Sequence, residues 1–216
     1  MKIQAVVFDF DGVLADTALD IVASVRATQR HYGVPEMSGA EIMSFVGWGA
    51  KFLIDNTVPV CAEHQSEALS WYQAYYAAHP CDETVVYPGV LETLARFQTM
   101  GVKMAVASNK PEALTNKIVD KLGLMEYFTC VIGPESVTRM KPDPEPLLLC
   151  AQRMETAPEY CMMVGDSYTD IVAGRNAGFA KTCAVLCGYG NQEKLQAEHA
   201  DFTVTDRGQI AKLCNG

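Results

Sequence analysis

Short, continuously apolar segments alternate along this chain with segments of helical period. Residues 3–8 read Ile-Gln-Ala-Val-Val-Phe, and β-branched runs of this kind are typical of strands covered on both faces of a parallel sheet. Similar segments recur at residues 102–107, 130–132, 161–164 and 182–186. The alternation predicts an α/β fold with a doubly wound parallel sheet, whose ligands bind beyond the carboxyl ends of the strands.

One interval breaks this alternation. The first strand ends near Asp9 and the next parallel-type strand ends near Ser108, although a parallel crossover needs only about a dozen residues. The additional residues between these two strands have helical periodicity throughout, so we expect an all-helical cap inserted beside the end of the first strand. The predicted division is a core of residues 1–15 and 86–216 and a helical cap of residues 16–85.

Two stretches of the expected cap have the features of helices. Residues 17–20, Thr-Ala-Leu-Asp, resemble a capping box that begins the first helix. A second helix is expected over residues 63–79, where Leu69, Tyr72 and Tyr76 share one face.

Composition and charge exclude several classes of function. Hydrophobic residues make up 49% and charged residues 20%, as in globular proteins, and the apolar runs are far shorter than the roughly 20 residues of a membrane span. A net charge of −9 without a Lys/Arg-rich run makes nucleic acids and anionic membranes poor partners.

The eight cysteines are scattered, which favours buried thiols over disulfides or zinc. No signal peptide is indicated, so a cytoplasmic location is the expectation.

Four carboxylates follow predicted strands or stand at strand-to-helix turns: Asp9, Asp11, Asp166 and Asp170. Two such strand ends can meet in one crevice of a parallel sheet. Clustered carboxylates repel one another unless a cation lies among them, and oxygen ligands without His or Cys favour a hard ion, so we expect magnesium, Mg²⁺. The alternative interpretation is that each pair only caps the turn or helix that follows it.

Residues 9–13, Asp-Phe-Asp-Gly-Val, resemble the first signature of the haloacid dehalogenase superfamily. Three further segments resemble the other signatures in the right order: Ser108 after a strand, Lys141 before Pro-Asp, and Gly-Asp-Ser-Tyr-Thr-Asp at residues 165–170. The resemblance spans nearly the whole chain.

This resemblance implies the roles of the four carboxylates. Asp9 would be a nucleophile that forms an aspartyl-phosphate, and Asp11 would be the general acid and base. Mg²⁺ would be held by Asp9, the main-chain carbonyl of Asp11 and Asp166. Asp170 would be a further ligand or a partner of the ligands.

Four more residues are implied to neutralise the phosphoryl group. They are Lys141, the Ser108 hydroxyl and backbone amides near Gly12 and Asn109. Taken alone, Lys141 would be a solvated loop lysine. Ser108 taken alone could equally be a helix N-cap before Pro111.

Asp11 favours phosphoryl transfer over dehalogenation, which needs neither a metal nor an acid at that position. Three segments resemble the phosphoglycolate phosphatases of the superfamily: residues 107–111, residues 87–90 and residues 46–49. The last reads Val-Gly-Trp-Gly and corresponds to a cap loop that faces the active site. The alternative interpretation is a turn between cap helices with its Trp packed inward. The candidate substrate-binding residues in the cap loop and its surroundings are Gly47, Trp48, Gly49, Lys51 and Lys110.

Three alternatives stay open at this point. A sugar-phosphate mutase resembling β-phosphoglucomutase shares all four signatures, although residues 18–22 lack its expected His and Trp. Inorganic pyrophosphate is another candidate substrate, because pyrophosphatases of the superfamily carry a similar Ser-Asn-Lys segment. A receiver-type signalling domain also combines acids, magnesium and a Lys-Pro dipeptide, but it has no place for the helical insert. The sequence does not indicate an oligomeric state.

Overall fold

The computed structural model describes residues 2–213, and Met1 and residues 214–216 of the predicted core lie outside the described part. The strands are Ala5–Phe8 (β1), Ala15–Asp16 (β2), Val85–Val86 (β3), Lys103–Ala107 (β4), Val131–Ile132 (β5), Cys161–Gly165 (β6), Lys181–Val185 (β7) and Phe202–Val204 (β8). The α-helices are Ala18–His31 (α1), Gly39–Met43 (α2), Ala50–Thr57 (α3), Gln65–Ala78 (α4), Val90–Thr99 (α5), Glu112–Lys121 (α6), Glu145–Arg153 (α7), Tyr168–Asn176 (α8) and Gln192–Ala197 (α9). The predicted strands are therefore present, with bounds that differ by at most two residues.

Six strands form one parallel sheet in the order β5-β4-β1-β6-β7-β8. β1 lies at its centre, where Ala5 is in register with Lys103 of β4 and with Cys161 of β6. The chain runs outward from β1 through β4 to β5 and then returns to β6 on the other side of β1. This reversal places a crevice at the carboxyl ends of β1, β4 and β6. The predicted doubly wound α/β fold is confirmed.

β1 is buried along its whole length because both faces of the sheet are covered. Val6 and Phe8 belong to an apolar cluster that includes residues of α5. Ala5 and Val7 belong to a second cluster on the opposite face, which includes residues of α7. A strand buried on two sides accepts apolar residues at successive positions, which accounts for the continuous apolar run in the sequence.

The four helices α1 to α4 are inserted between β2 and β3, which confirms the helical insertion predicted after the first strand. β2 and β3 form a two-stranded antiparallel ladder, in which Ala15 pairs with Val86 and Asp16 with Val85. The chain leaves the core and returns to it through this ladder. The domain boundaries at residues 16 and 85 stay a prediction.

The start of α1 differs from the prediction. Thr17 is its N-cap residue, but the Thr17 side chain accepts no backbone hydrogen bond from the helix. Its hydroxyl instead donates to Asp11, and the Asp20 carboxylate accepts hydrogen bonds from the backbone amides of Glu83 and Thr84. The predicted capping box is therefore wrong, because both side chains have partners distant in sequence.

The seven cysteines in the described part of the chain are free thiols, and Cys214 lies outside it. No disulfide is therefore present among residues 2–213. Within the same residues, no helix combines the length and the apolar character that crossing a bilayer requires.

Candidate active site

Three carboxylates converge at the carboxyl ends of β1 and β6. Asp9 follows β1, Asp166 follows β6, and Asp170 lies in the first turn of α8. One oxygen from each carboxylate lies within 4.8 Å of the others. Asp166 and Asp170 are buried, and the Asp9 side chain is 14% exposed. The cluster offers only carboxylate oxygens, which is the donor type that Mg²⁺ prefers.

Asp170 also takes part in the start of α8. Ser167 is the N-cap residue, and its backbone amide donates to Asp170 Oδ2 at 3.0 Å in a capping box. The other oxygen, Asp170 Oδ1, accepts from Lys141 Nζ at 2.7 Å. Asp166 has a different environment, because its Oδ2 accepts from the backbone amides of residues 189 and 190. Helix capping therefore accounts for one contact of Asp170 and for none of Asp166.

Lys141 is buried and lies between two of these carboxylates. Its Nζ is 3.0 Å from Asp9 Oδ1 and 2.7 Å from Asp170 Oδ1, and it also donates to the carbonyl of Ala107 at 2.6 Å. Burial alone would lower the pKa of Lys141, but the charges of Asp170 and Asp9 raise it above its ordinary value. The ammonium is therefore permanently charged and anchored, unlike a solvated loop lysine.

Two of the three carboxyl groups, those of Asp9 and Asp166, have raised pKa values in the absence of a metal ion. Burial raises the pKa of Asp9 to about 6; Lys141 opposes this increase, and the charges of Asp170 and Asp11 add to it. Burial and the charges of Asp9 and Asp170 raise the pKa of Asp166 well above its ordinary value. Removal of these protons is favoured by a bound cation, so the donor set and its electrostatics both fit Mg²⁺.

Asp11 has contacts on both the sheet side and the inserted helices. The Thr17 hydroxyl donates to Asp11 Oδ1 at 2.6 Å. The Lys110 ammonium lies 3.1 Å from each oxygen of Asp11 and 4.6 Å from the centroid of the Tyr76 ring in α4. Asp11 is thus held where the strand edge meets the insert.

Gly12 is the position in the first motif where a side chain cannot be accommodated. Its φ is +81°, and a Cβ atom there would lie 2.3 Å from Asp166 Oδ2. The same geometry brings the backbone of the first motif close to the carboxylate that follows β6.

Ser108 follows β4 and lines the cavity described below. Its hydroxyl accepts a hydrogen bond from the backbone amide of Lys110 at 3.3 Å. Helix α6 begins only at Glu112, with Pro111 as its N-cap residue. The alternative role of Ser108 as a helix N-cap is therefore wrong.

Asn109 connects three loops through its side-chain amide. Its Nδ2 donates to the carbonyl of Gly47 at 2.9 Å and to the carbonyl of Lys141 at 3.0 Å. Its Oδ1 accepts from the backbone amide of Lys141 at 3.1 Å. One buried side chain thus links the loop before α3, the loop after β4 and the lysine loop.

The loop of residues 46–49 approaches the sheet edge as its sequence predicts, although its tryptophan lies at the rim. Gly47 and Gly49 line the cavity and have φ values of +102° and +87°. Trp48 is 39% exposed and packs against the rings of Phe52 and Tyr168, at centroid distances of 5.9 and 5.6 Å. It is neither packed inward nor among the residues that line the cavity.

Lys51 is not brought to the site. Its side chain is 75% exposed and pairs with Asp55 one turn further along α3. Lys110, by contrast, is 8% exposed and lines the cavity. Of the two lysines predicted to bind substrate, the structure places one beside Asp11 and the other on the outer surface.

A cavity, partly open to solvent, lies between the sheet edge and the inserted helices. The sheet side is polar. The candidate site residues that line it there are Asp9, Asp11, Ser108, Asn109, Lys110, Lys141 and Asp166. The insert side is largely apolar. Its residues are Ile21, Val46, Gly47, Gly49, Ala50, Leu53 and Tyr72.

Two residues outside the motifs also support the site. Tyr189 donates its backbone amide to Asp166, and its hydroxyl accepts from the backbone amides of Thr17 and Ala18 at the start of α1. Arg207 is 7% exposed and donates to the carbonyl of Gly12 at 2.6 Å. The sequence offers no signal for either residue, because both lie far along the chain from the segments that they contact.

Several known proteins resemble this chain in sequence and in fold. The family description of haloacid dehalogenase-like hydrolases matches residues 6–185. The phosphoglycolate phosphatase of Aquifex aeolicus is 32% identical over 97% of this chain and 96% of its own length. The N-acetylmuramic acid 6-phosphate phosphatase of Pseudomonas aeruginosa is 33% identical over 95% of this chain and 92% of its own. A crystal structure described as a predicted phosphoglycolate phosphatase from Haemophilus somnus shares the fold, with a TM-score of 0.91, 24% identity, and coverage of 99% of this chain and 98% of that one.

Proposed function

The chain belongs to the haloacid dehalogenase-like hydrolases, and on that premise we propose that it is a Mg²⁺-dependent phosphatase acting through an aspartyl-phosphate on Asp9. Its relatives identify the enzyme class as that of the phosphoric monoester hydrolases. The proposed substrate is a small phosphate monoester of the phosphoglycolate type. The observation that carries the proposal is the position of Asp9, with an anchored ammonium 3.0 Å away and two further carboxylates around it.

Asp9 is the proposed nucleophile. Lys141 and the backbone amide of Phe10 both contact Asp9 Oδ1, at 3.0 and 2.7 Å, and so hold the carboxylate in one orientation. A carboxylate oxygen attacks phosphorus while the bond to the ester oxygen breaks, which leaves the phosphoryl group on Asp9 and an alkoxide as leaving group.

Asp11 is the proposed general acid and base. It gives its proton to the leaving alkoxide in the first step and takes a proton from the attacking water in the second. That water adds to phosphorus and the acyl phosphate bond breaks, which releases inorganic phosphate and restores the Asp9 carboxylate. Thr17 and Lys110 hold the Asp11 carboxylate in place through contacts of 2.6 and 3.1 Å.

Mg²⁺ would be held by Asp9, Asp166 and the main-chain carbonyl of Asp11. When bound, the ion would supply positive charge to the phosphoryl oxygens. Both oxygens of Asp170 already accept hydrogen bonds from protein groups, so we place this residue as the partner that orients Lys141. The Ser108 hydroxyl, Lys141 and backbone amides near Gly12 and Asn109 would share the remaining charge.

The alternatives are not equally supported. A receiver domain is set aside, because the family match covers residues 6–185 and the relatives are phosphatases. A sugar-phosphate mutase is less well supported, because the described residues that line the cavity from the insert side are mostly apolar and include no histidine. Pyrophosphate is kept as a competing substrate to be tested.

Release of inorganic phosphate from a panel of esters tests the proposal. The panel contains p-nitrophenyl phosphate, 2-phosphoglycolate, N-acetylmuramic acid 6-phosphate, β-glucose 1-phosphate and pyrophosphate. We expect turnover with Mg²⁺, none in EDTA, and none for Asp9→Asn. Mass spectrometry of acid-quenched protein should find one phosphoryl group on the peptide that contains Asp9. Turnover that survives Asp9→Asn would refute the mechanism.

A further inference from the structure

Among the described residues that line the cavity, the cationic side chains are Lys110 and Lys141. Lys141 is already committed, since its ammonium contacts Asp9, Asp170 and the carbonyl of Ala107. Under the proposed function, its charge serves the phosphoryl group. Lys110 is therefore the cation available to the other end of a substrate.

Lys110 lies where that other end must be. Its ammonium is 3.1 Å from both oxygens of Asp11, the residue proposed to protonate the ester oxygen. In a phosphate ester of a 2-hydroxy acid, one carbon separates the ester oxygen from the carboxylate carbon. A carboxylate at this position therefore comes within hydrogen-bond reach of a cation that is adjacent to Asp11.

The ammonium can take this additional partner while it stays in contact with Asp11 and Tyr76. An ammonium has three N–H donors, and Lys110 directs its present contacts to Asp11 and to the face of the Tyr76 ring. A substrate carboxylate can replace one of the two contacts to Asp11 while the other is kept.

The surroundings of Lys110 favour a compact, singly charged group over a sugar. On the insert side of the cavity, Tyr72 is the described residue with a polar side chain, and the others are apolar or glycine. A polyol would lose its hydrogen bonds to water against such a wall. A phosphate leaving group would bring more charge than one ammonium neutralises, whereas a carboxylate matches it.

We propose that Lys110 sets substrate specificity by binding a carboxylate that the leaving group carries next to the ester oxygen. This inference rests on the proposed function, because it takes the phosphoryl group to lie at Asp9. It defines the substrate class as phosphate esters of short 2-hydroxy acids, of which 2-phosphoglycolate is the smallest.

Binding to the Asp9→Asn variant tests the inference without turnover. Dissociation constants are measured by isothermal titration calorimetry with Mg²⁺ for 2-phosphoglycolate, for ethyl phosphate, which lacks the carboxylate, and for pyrophosphate. We expect 2-phosphoglycolate to bind roughly 10- to 100-fold more tightly than ethyl phosphate, the contribution typical of a buried charge-assisted hydrogen bond. This comparison needs no change at Lys110.

A second substitution then assigns the preference to the residue. Lys110→Met in the same background should bring the ratio of the two dissociation constants close to one, and Lys110→Arg, which keeps the charge, should retain part of it. Lys51→Met is the matched control, because it removes the same charge from a lysine that lies outside the cavity, and it should leave the ratio unchanged.

The outcomes separate this inference from the proposed function. A ratio near one in the Asp9→Asn variant, or the same ratio after Lys110→Met, would overturn it, as would tighter binding of pyrophosphate than of 2-phosphoglycolate. Failure of the proposed function would instead appear as absence of phosphate release from every ester by the unsubstituted protein. The ratio of the two dissociation constants is measured by binding alone, so it can be determined even if the protein turns over none of the esters.

Discussion

Two aspartates that stand two positions apart in the chain have different surroundings at the scale of single residues. Asp9 is beside Lys141 and the carboxylates that follow β6, in a cluster that fits a metal ion. The Asp11 side chain is beside Lys110 and Thr17 and is not part of that cluster. The roles proposed above, nucleophile for Asp9 and general acid and base for Asp11, therefore fall to two carboxylates with different neighbours.

Asp11→Asn should separate metal binding from catalysis. The substitution keeps the main-chain carbonyl but removes the group that carries a proton, so we expect turnover of 2-phosphoglycolate to fall by roughly 10²- to 10⁴-fold. The dissociation constant for Mg²⁺, measured by calorimetry, should change far less than turnover, because the main-chain carbonyl proposed to contact the ion is kept. Full activity of this variant would require another residue as acid and base.

The raised pKa of Asp9 predicts how stability depends on pH. With a pKa of about 6 against an ordinary 3.8, the folded metal-free protein keeps a proton that the unfolded chain releases. This group therefore costs stability as pH rises from about 4 to 6, and the raised pKa of Asp166 acts in the same direction. Mg²⁺ binds the ionised carboxylates, so the gain in Tm on adding Mg²⁺ should be larger at pH 7 than at pH 5.

Thermal denaturation in EDTA and in Mg²⁺ at both pH values checks this prediction. Asp166→Asn should remove most of the gain at pH 7. Asp55→Asn, which changes an aspartate on the outer surface of α3, should leave the gain intact. Equal gains at the two pH values would contradict the assignment of a metal to this cluster.

At the scale of elements, the loops at the sheet edge are joined by a side chain rather than by backbone pairing. Asn109 holds the carbonyl of Gly47 in the insert and both backbone polar groups of Lys141 in the core. The inserted helices contact the strand ends here through a hydrogen bond that a single substitution removes. The Asn109 amide is thus one of the contacts between insert and core, together with those of Lys110 with Tyr76 and of Trp48 with Tyr168.

Asn109→Ala should loosen that loop. It leaves two carbonyls and one amide without their partner, so we expect a loss of about 2 kcal/mol and a fall in Tm of roughly 4–8 °C. Hydrogen exchange of residues 46–50 should be faster, and KM should rise. Asn116→Ala is the control, since the Asn116 side chain donates to the carbonyl of Glu112 within α6, and exchange at residues 46–50 should not change.

At the scale of the whole molecule, the last described turns of the chain reach back to its first motif. The Arg207 guanidinium donates to the carbonyls of Gly12, Val13 and Cys187, and its Cζ lies 3.4 Å from the centroid of the Tyr87 ring. Residues that are almost the full chain length apart are therefore held in one buried contact. This contact fixes the backbone that follows the proposed nucleophile.

Arg207→Met should affect both stability and catalysis. Loss of these charge-assisted hydrogen bonds leaves buried carbonyls unpaired, and we expect a cost of about 3 kcal/mol, or a fall in Tm of roughly 6–12 °C. Turnover should fall at temperatures where circular dichroism finds the variant folded, because the loop after β1 loses its support. Arg139→Met, at an arginine whose side chain is 76% exposed, should leave both quantities unchanged. Normal turnover of folded Arg207→Met would show that the contact serves stability alone.

The amino-acid sequence by itself determined the parallel sheet, the helical insertion and the chemistry-bearing residues at strand ends. These features are local: an apolar run such as residues 3–8 specifies a strand buried on both faces, and Asp9 or Ser108 is placed by the strand that precedes it. Asp166 and Asp170 are placed in the same way after β6, so their meeting with Asp9 follows from the order of parallel strands.

Only the tertiary structure decided which side chains contact one another across the chain. Thr17 and Asp20 have the local pattern of a capping box, yet longer-range partners outcompete it. Lys51 and Lys110 are equivalent as sequence candidates, and only the packing of α3 and of the loop after β4 separates the exposed lysine from the one beside Asp11. The physical reason is that a contact between distant segments depends on the geometry of every element between them, whereas strand and helix periods depend on neighbouring residues alone.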